Sequence, residues 1–256
     1  MNKRINPNLI RLAELTHNPD LKETSILAQK VDDPNVSGEF SINNNPNFWA
    51  VTGVNYRDGI YHVDLQKELL DNGDSKTQDQ WSEYSKTNEF KLGDFPLYHS
   101  LFQALYQNRD SSNKHLVEQA KQFIKEKMFK NWLMTLTRIK YMPSPNKDIV
   151  IHNYKMPDQY NVSDDFVGPD EWVKKLKEKN TFKALLGSDN LQEINNIYKW
   201  ITEKDAHIWR VNSKLEKQKE RVAGFVAFSG RALLSCAWDP RGSYSGLGVR
   251  IAKIKE

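Results

Sequence analysis

The sequence predicts an α+β fold with a mixed or antiparallel sheet and two or more helices, and three observations support this. Apolar residues at helical spacing mark two segments in the middle of the chain, around 97–105 and 116–124. Runs rich in β-branched and aromatic residues lie on both sides of these segments. The last fifty or so residues, from 206 to 254, are strand-rich and punctuated by Gly, Ser and Pro.

The remaining elements follow the same patterns along the chain. Residues 1–30 predict one or two short helices, residues 31–47 a turn-rich stretch, and residues 65–91 a loop with some helix. Strands are predicted at 48–54, 60–63, 132–141 and 150–154, with a turn at 57–59 between the first two. Further helices are predicted at 171–177 and 191–204, the second capped by Asp189-Asn190.

Length and composition predict one folded domain over 1–256, in which 1–94 is an N-terminal elaboration. A hydrophobic content of 38% and an aromatic content of 11% are typical of a folded protein. The net charge of +4 comes from 37 basic and 33 acidic residues, which nearly cancel. Because nucleic-acid binding requires a concentrated basic face, we expect no nucleic-acid partner.

Cysteine content and hydropathy limit the kinds of site and of membrane association that the chain can have. The single cysteine, Cys236, excludes an internal disulfide and a cysteine-based zinc site. Residues 1–9 lack the apolar core of a secretory signal, and no apolar run is long enough to cross a bilayer. We therefore expect a soluble protein without direct membrane insertion. Its location stays unknown, and display on a virion or cell surface would require a partner.

Sequence signatures of catalysis are absent. The chain contains no phosphate-binding glycine loop, no HExxH and no GxSxG, and its six histidines lack ligand spacing. Asp71-Asn72-Gly73-Asp74 lacks the alternating oxygen ligands and closing Glu of a calcium loop, so a plain turn is predicted there. We predict no catalytic residue, no metal, no cofactor and no enzymatic activity.

The segment 221–250 is the informative part of the chain, because its residues alternate. Leu234, Cys236 and Trp238 are apolar and two residues apart, as on the inward face of a strand. The opposite set changes parity between 230 and 233 and between 239 and 242, where a turn or bulge would keep the same face outward. The predicted outward, ligand-binding positions are Val226, Phe228, Gly230, Leu233, Ser235, Ala237, Asp239, Gly242 and Tyr244.

None of these nine residues is Lys, Glu, Gln, Met or Trp, and each can be encoded by a codon that ends in a pyrimidine. In this respect 221–250 resembles the variable region of proteins diversified by a diversity-generating retroelement, of the archaeal or archaeal-virus type, in which adenines of Asn codons are mutated. The ending 246–252 is similar to the terminal GxR-hydrophobic-Ala strand of C-type lectin folds of the formylglycine-generating-enzyme subtype. The resemblance covers about the last 35 residues.

The resemblance implies a C-type-lectin-like scaffold that displays a hypervariable surface. On that surface Phe228 and Tyr244 would anchor a ligand, since aromatic side chains offer large contact area at low entropic cost. The small residues would shape a shallow groove, and Asp239 would add charge selectivity. The expected partner is a protein on a host or neighbouring cell, and oligomerisation is left open.

Two alternatives accompany this interpretation. The first is an ordinary edge hairpin with mixed surface residues, which explains the inward residues equally well. The second is an enzyme of unassigned chemistry on a formylglycine-generating-enzyme-like fold. Enzymes of that family use a cysteine pair to bind copper, whereas Cys236 is alone and predicted to point inward. We therefore reject that particular activity.

Overall fold

The computed structural model describes residues 38–143, 146–162, 170–177, 179–210, 215–228 and 230–254, without the side chain of Phe228. The strands in these ranges are β1 Ser41–Asn44, β2 Phe48–Tyr56, β3 Gly59–Leu69, β4 Lys91–Leu92, β5 Leu133–Tyr141, β6 Ile149–His152, β7 Tyr160–Val162, β8 Glu171–Trp172, β9 Ala206–Arg210, β10 Lys219–Phe228, β11 Arg231–Trp238 and β12 Leu247–Lys253. The α-helices are α1 Gln78–Thr87, α2 Phe95–Gln107, α3 Lys114–Ile124, α4 Asn180–Leu186 and α5 Leu191–Thr202.

The strands form two sheets. The five-stranded sheet has the order β1-β2-β3-β12-β4, and the seven-stranded sheet has the order β7-β6-β5-β10-β11-β9-β8. All pairs are antiparallel except β9 and β11, which run parallel. The protein is therefore an α+β fold, and its larger sheet is mixed, as the sequence predicts.

Most predicted elements are confirmed. The strands predicted at 48–54, 60–63, 132–141 and 150–154 correspond to β2, β3, β5 and β6. The two segments with apolar residues at helical spacing are α2 and α3, and the helix predicted at 191–204 is α5. The backbone N–H of Glu193 donates to the side chain of Asn190 at 3.2 Å, which confirms the predicted cap. The predictions for residues 1–37 lie outside the described residues.

One predicted helix differs from the structure, and the stretch 65–91, predicted as a loop with some helix, contains one α-helix. The helix predicted at 171–177 is wrong: Glu171–Trp172 pairs with β9 as a strand, and a short 3₁₀ turn, Val173–Lys175, follows it. Pairing with β9 here overrides the helical propensity of the lysines. Within 65–91, a capping box formed by Thr77 and Gln80 begins this ten-residue helix, α1.

The main hydrophobic core lies between the two sheets, around α2. Asp94 caps this helix by accepting the N–H of Leu97, and the helix is buried around most of its circumference. At the centre, Phe225 of β10 contacts Phe95 of α2, with ring centroids 4.4 Å apart. The helix thus joins the sheets through aromatic packing.

Strand β12 lies between β3 and β4 and ties the end of the chain to residues 38–94. Those residues supply four of the five strands of this sheet, so they are part of its framework. A side chain on Gly248 would come within 2.7 Å of Leu70. Among the described residues, none of the helices has the length and apolar character needed to cross a membrane.

Arg250 of β12 forms an ion pair with a buried carboxylate. Its guanidinium donates two hydrogen bonds to Asp64 Oδ2, at 2.6 and 2.9 Å, while His62 Nε2 lies 3.0 Å from Asp64 Oδ1. Burial alone would raise the pKa of Asp64, but the hydrogen bonds from His62 and Arg250 lower it overall. The GxR arginine therefore has a structural role.

Replacing this arginine tests that role. We expect Arg250→Gln to lower the free energy of unfolding by about 2 kcal/mol, because Asp64 stays buried with one partner fewer. The lowered pKa of Asp64 makes its contribution present above the unfolded pKa of about 4 and lost as pH falls through the folded pKa. The variant should therefore lose less stability than the wild type between neutral pH and about pH 2.

Urea unfolding at the two pH values measures both effects. Lys253→Gln on the same strand is the matched control, since the ion pair of Lys253 with Asp58 is exposed. Equal stability of the two variants would contradict a structural role for Arg250.

Candidate functional site

The central strands of the seven-stranded sheet are covered on both faces. On one face, Phe225, Leu234 and Cys236 belong to the main core. On the other, Val226 and Leu233 pack with Met134, Leu136 and Trp81 in a second hydrophobic cluster. Helix α1, which carries Trp81, lies over this second face and makes a side-chain hydrogen bond from Gln78 to the carbonyl of Thr135 on β5, at 2.9 Å.

The prediction of an outward face is therefore wrong for three of the nine positions. Val226, Leu233 and Ser235 are only 2%, 4% and 2% exposed. Alternation separates the two faces of a strand, but it does not show whether the second face is covered. The helix that covers it lies in 65–91, which is predicted as a loop with some helix and without a position in the fold, so the sequence gives no sign that this face is covered.

A β-bulge changes the face on which Trp238 lies. Strand β10 pairs Gly224 with Ser235 and Val222 with Trp238, so two residues of β11 oppose one residue of β10. Leu234 and Cys236 lie inward as predicted, but Trp238 packs in the second cluster on the opposite face. The prediction that all three share one face is wrong for this reason.

Cys236 is not placed for chemistry. It is buried in the main core, and burial raises the pKa of its thiol. A protonated, inaccessible thiol is a poor nucleophile and metal ligand. Among the described residues, no three His, Cys, Asp or Glu side chains are grouped closely enough to hold a metal ion.

Trp238 is the base of a group of three near-parallel rings that we call the aromatic stack, formed by Trp132, Trp238 and Tyr244. The centroid distances are 4.6 Å from Trp238 to Tyr244 and 5.6 Å from Trp238 to Trp132, with interplanar angles of 19° and 21°. Trp238 is buried, Tyr244 is half-buried, and Trp132 is 52% exposed. The stack thus runs from the second cluster to the surface.

Two glycines make room for these rings. A Cβ on Gly224 would overlap the ring of Trp238 and come within 2.7 Å of the carbonyl oxygen of Leu133. A Cβ on Gly242 would come within 2.8 Å of the ring of Tyr244. Both rings therefore lie against backbone that carries no side chain, and this limits where they can lie.

Main-chain bonds hold the segment after β11 in place. Tyr244 exchanges backbone hydrogen bonds with Lys76, at 3.0 and 3.1 Å, and its carbonyl also accepts the indole N–H of Trp81, at 2.8 Å. The N–H of Met134 donates to the carbonyl of Ser245, at 3.1 Å. Tyr244 is thus positioned by α1 and β5 rather than by a free loop.

Charged residues border the stack. Asp239 Oδ2 accepts a hydrogen bond from the guanidinium of Arg241 at 2.8 Å, and this bond lowers the pKa of Asp239. The Asp239 side chain is 43% exposed, and that of Arg241 extends into solvent. Burial, followed by the charge of Asp239, raises the pKa of Tyr244, so its hydroxyl stays protonated at neutral pH. Ala237 is half-buried at the end of β11.

The structure does not bring the nine predicted residues into one surface. Ala237, Asp239, Gly242 and Tyr244 lie at or beyond the end of β11, beside the aromatic stack. Gly230 is exposed in the β10–β11 turn, at the other end of an eight-residue strand, which is about 26 Å long. The side chain of Phe228 lies outside the described residues. The prediction of a single nine-residue surface is therefore wrong.

A second group of titratable residues was missed by sequence reasoning. The buried carboxylate of Asp94 accepts the hydroxyl of Tyr56 at 2.7 Å and lies 3.9 Å from the guanidinium of Arg57. That guanidinium stacks on Tyr160 at 4.0 Å, and burial lowers the pKa of nearby His152. These residues are distant in sequence, so no local signal could have predicted this Asp94 cluster.

The partners within the Asp94 cluster favour a structural role. Burial raises the pKa of Asp94, while the charge of His152 and the hydrogen bond from Tyr56 act in the opposite direction. One carboxylate oxygen accepts from Tyr56 and the other from the N–H of Leu97. His152 is held between Thr137 and the carbonyl of Ala184. The cluster therefore joins the tip of the β2–β3 hairpin to the larger sheet.

Comparisons with protein-family models, with curated protein sequences and with solved structures found no match.

Replacing Gly224 tests how the stack is held. We expect Gly224→Ala to destabilise the fold by about 3 kcal/mol, because the new methyl group overlaps Trp238. Near-UV circular dichroism should show loss of the signal from the coupled rings. In Gly230→Ala, the control, only the positive φ is strained and no neighbouring atom is in the way. An unchanged near-UV spectrum in Gly224→Ala would contradict the proposed support.

Proposed function

We propose that the protein binds a ligand, and that its contact surface is the aromatic stack with its charged border of Asp239 and Arg241. The observation that carries this proposal is Trp132, a large aromatic side chain that is 52% exposed yet stacked on two further rings. Exposed large apolar groups are costly unless a partner covers them. Its stacking partners also reduce the entropy that Trp132 would lose on binding.

A protein ligand fits the composition of this surface. Trp, Tyr and Arg are the residues that most often dominate protein interfaces. Trp132 stacks with Tyr244 here, and Arg241 pairs with Asp239, whose charge acts on Tyr244. The rings supply contact area, and the Asp239–Arg241 pair supplies a polar border that can select among partners. The partner that we propose is a protein on a host or neighbouring cell.

We also propose that the scaffold is a C-type-lectin-like fold. What supports this is β12, the strand that carries the resemblance. Gly248 has no room for a side chain, Arg250 pairs with buried Asp64, and Ala252 is buried. The Gly, Arg and Ala of the GxR-hydrophobic-Ala pattern thus each meet a steric or electrostatic requirement of β12.

For retroelement diversification, we propose a narrower set of positions than the sequence suggests. Ala237 and Asp239 are partly accessible and can vary with little effect on the core, and Gly230 is exposed, although its positive φ strains any other residue. Leu233 and Val226 cannot, because each contributes to the second cluster. A reverse transcriptase gene beside this one, with a template repeat that differs only at adenines, would support diversification, and the differing codons would show which positions are used.

Asparagine substitutions test this division, because Asn is the residue that the proposed template would encode. We expect Leu233→Asn to lower the free energy of unfolding by about 3 kcal/mol, since it buries an amide without a partner in an apolar cluster. Asp239→Asn should change it by less than about 0.5 kcal/mol. Chemical unfolding measures both. A fully stable Leu233→Asn variant would contradict this division into core and accessible positions.

Binding itself can be tested by photo-crosslinking to surface proteins of candidate host or neighbouring cells, with a photoreactive group at Ala237. A specific crosslinked product should form with the wild type and be reduced about tenfold or more in Trp132→Ala, because an aromatic hot spot contributes 2 kcal/mol or more. Arg241→Ala should reduce it less. The matched control is Arg109→Ala, an exposed arginine in the α2–α3 turn, which should leave the product unchanged. A product that is indifferent to Trp132→Ala would contradict the proposed surface.

A further inference from the structure

A second cluster of aromatic and basic side chains lies near the edge of the seven-stranded sheet that ends in β8. It comprises Trp172 of β8, His207 and Trp209 of β9, and Arg231 of β11, and we call it the β9 face. His207 pairs with Trp172 on one side and with Leu233 on the other. Because side chains two apart on a strand share a face, Arg231 and Trp209 lie on the same face as His207.

Two buried polar atoms of the β9 face have no hydrogen-bond partner among the residues that the structure describes. These are Nδ1 of His207, a residue that is only 8% exposed, and Nε of Arg231. Native proteins satisfy nearly all buried polar atoms, because each unsatisfied one costs about 1–3 kcal/mol. The two atoms lie on neighbouring strands and on the same face of the sheet, so one hydrogen-bonding group could serve both.

The surroundings of these atoms are aromatic. The ring of Trp172 meets the ring of His207 edge to face, with centroids 5.1 Å apart. The guanidinium of Arg231 lies over Trp172, 5.8 Å from its centroid. Trp209 is 42% exposed, which is unusual for so large an apolar side chain in the described residues. A ligand that reaches the two nitrogens would therefore also contact indole rings.

Arg231 is the group of the β9 face that can attract an anion. Burial, and then the charge of Arg231, lowers its pKa, so the ring is neutral at pH 7 when the site is empty. The opposing carboxylates are Asp170 and Glu171, and both already accept backbone N–H groups, of Arg210 at 2.6 Å and of Trp172 at 2.8 Å. The Arg231 guanidinium is the cation that acts on His207, and no ion pair between it and a carboxylate is seen among the described residues.

We propose that the β9 face is a second binding site, for a ligand that carries an oxyanion on an aromatic ring. The oxyanion accepts hydrogen bonds from Arg231 Nε and from the His207 ring N–H, which satisfies both buried atoms. The aromatic ring of the ligand packs against Trp172 and Trp209. The shared chemistry is a carboxylate or a phosphate, and the proposal does not depend on the function of the aromatic stack.

The test uses benzoate and phenyl phosphate as probes, with inorganic phosphate as the probe that lacks a ring. Isothermal titration calorimetry should show saturable binding of at least one ring-bearing probe, and the tighter of the two identifies the oxyanion. Arg231→Gln should weaken that binding about tenfold or more, because a charge-assisted hydrogen bond is lost. Arg241→Gln, the matched arginine at the other end of β11, and Trp132→Ala should leave it within about twofold.

NMR of the wild-type protein gives a readout that needs no substitution. On addition of the bound probe, the imidazole ¹⁵N resonances of His207 should shift, and the pKa of His207 should rise because a negative charge now lies beside it. Absence of saturable binding by both ring-bearing probes would overturn the proposal. So would binding that Arg231→Gln leaves unchanged, or inorganic phosphate binding as tightly as the ring-bearing probes.

Discussion

The contact between Trp238 and the bare backbone of Gly224 is the constraint on which the candidate surface depends. A one-residue bulge in β11 moves Trp238 to the second face of the sheet, and Gly224 provides the space for its ring. Tyr244 and Trp132 then stack on that ring. Without the bulge, Trp238 would lie on the same face as Cys236, and the exposed Trp132 would lose its stacking contact with Trp238.

The sequence predicts the elements better than the site. Helical spacing of apolar residues identifies α2 and α3, and alternation identifies β11 with Leu234 and Cys236 inward. Alternation cannot reveal a second covering layer, because a strand with one buried face and a strand with two can show the same pattern when residues such as Ser235 occupy the second face. Helix α1, which provides that layer, is short and polar except at Trp81, so its role depends on tertiary contacts.

A different limit applies to groups assembled from distant parts of the chain. Asp94 meets Tyr56 and Arg57 through the packing of α2 on β2, and the unsatisfied atoms of His207 and Arg231 become visible only when β9 pairs with β11. The codon pattern in 221–250 relates residues that are neighbours in sequence, and it carries no information on which of them are buried. Burial, in contrast, divides that segment into core positions and accessible ones, and only the accessible ones can contact a ligand.

Hydroxyl-radical footprinting with mass spectrometry measures this division most directly, because it reports the solvent access of each side chain in the folded protein. We expect rapid oxidation of Trp132 and slower oxidation of Tyr244. Trp238, Val226 and Leu233 should be protected to an extent comparable to that of Phe225 in the main core. Oxidation of Leu233 and Val226 at the rate expected for exposed residues would contradict this expectation, since the second face of the sheet would then be open to solvent.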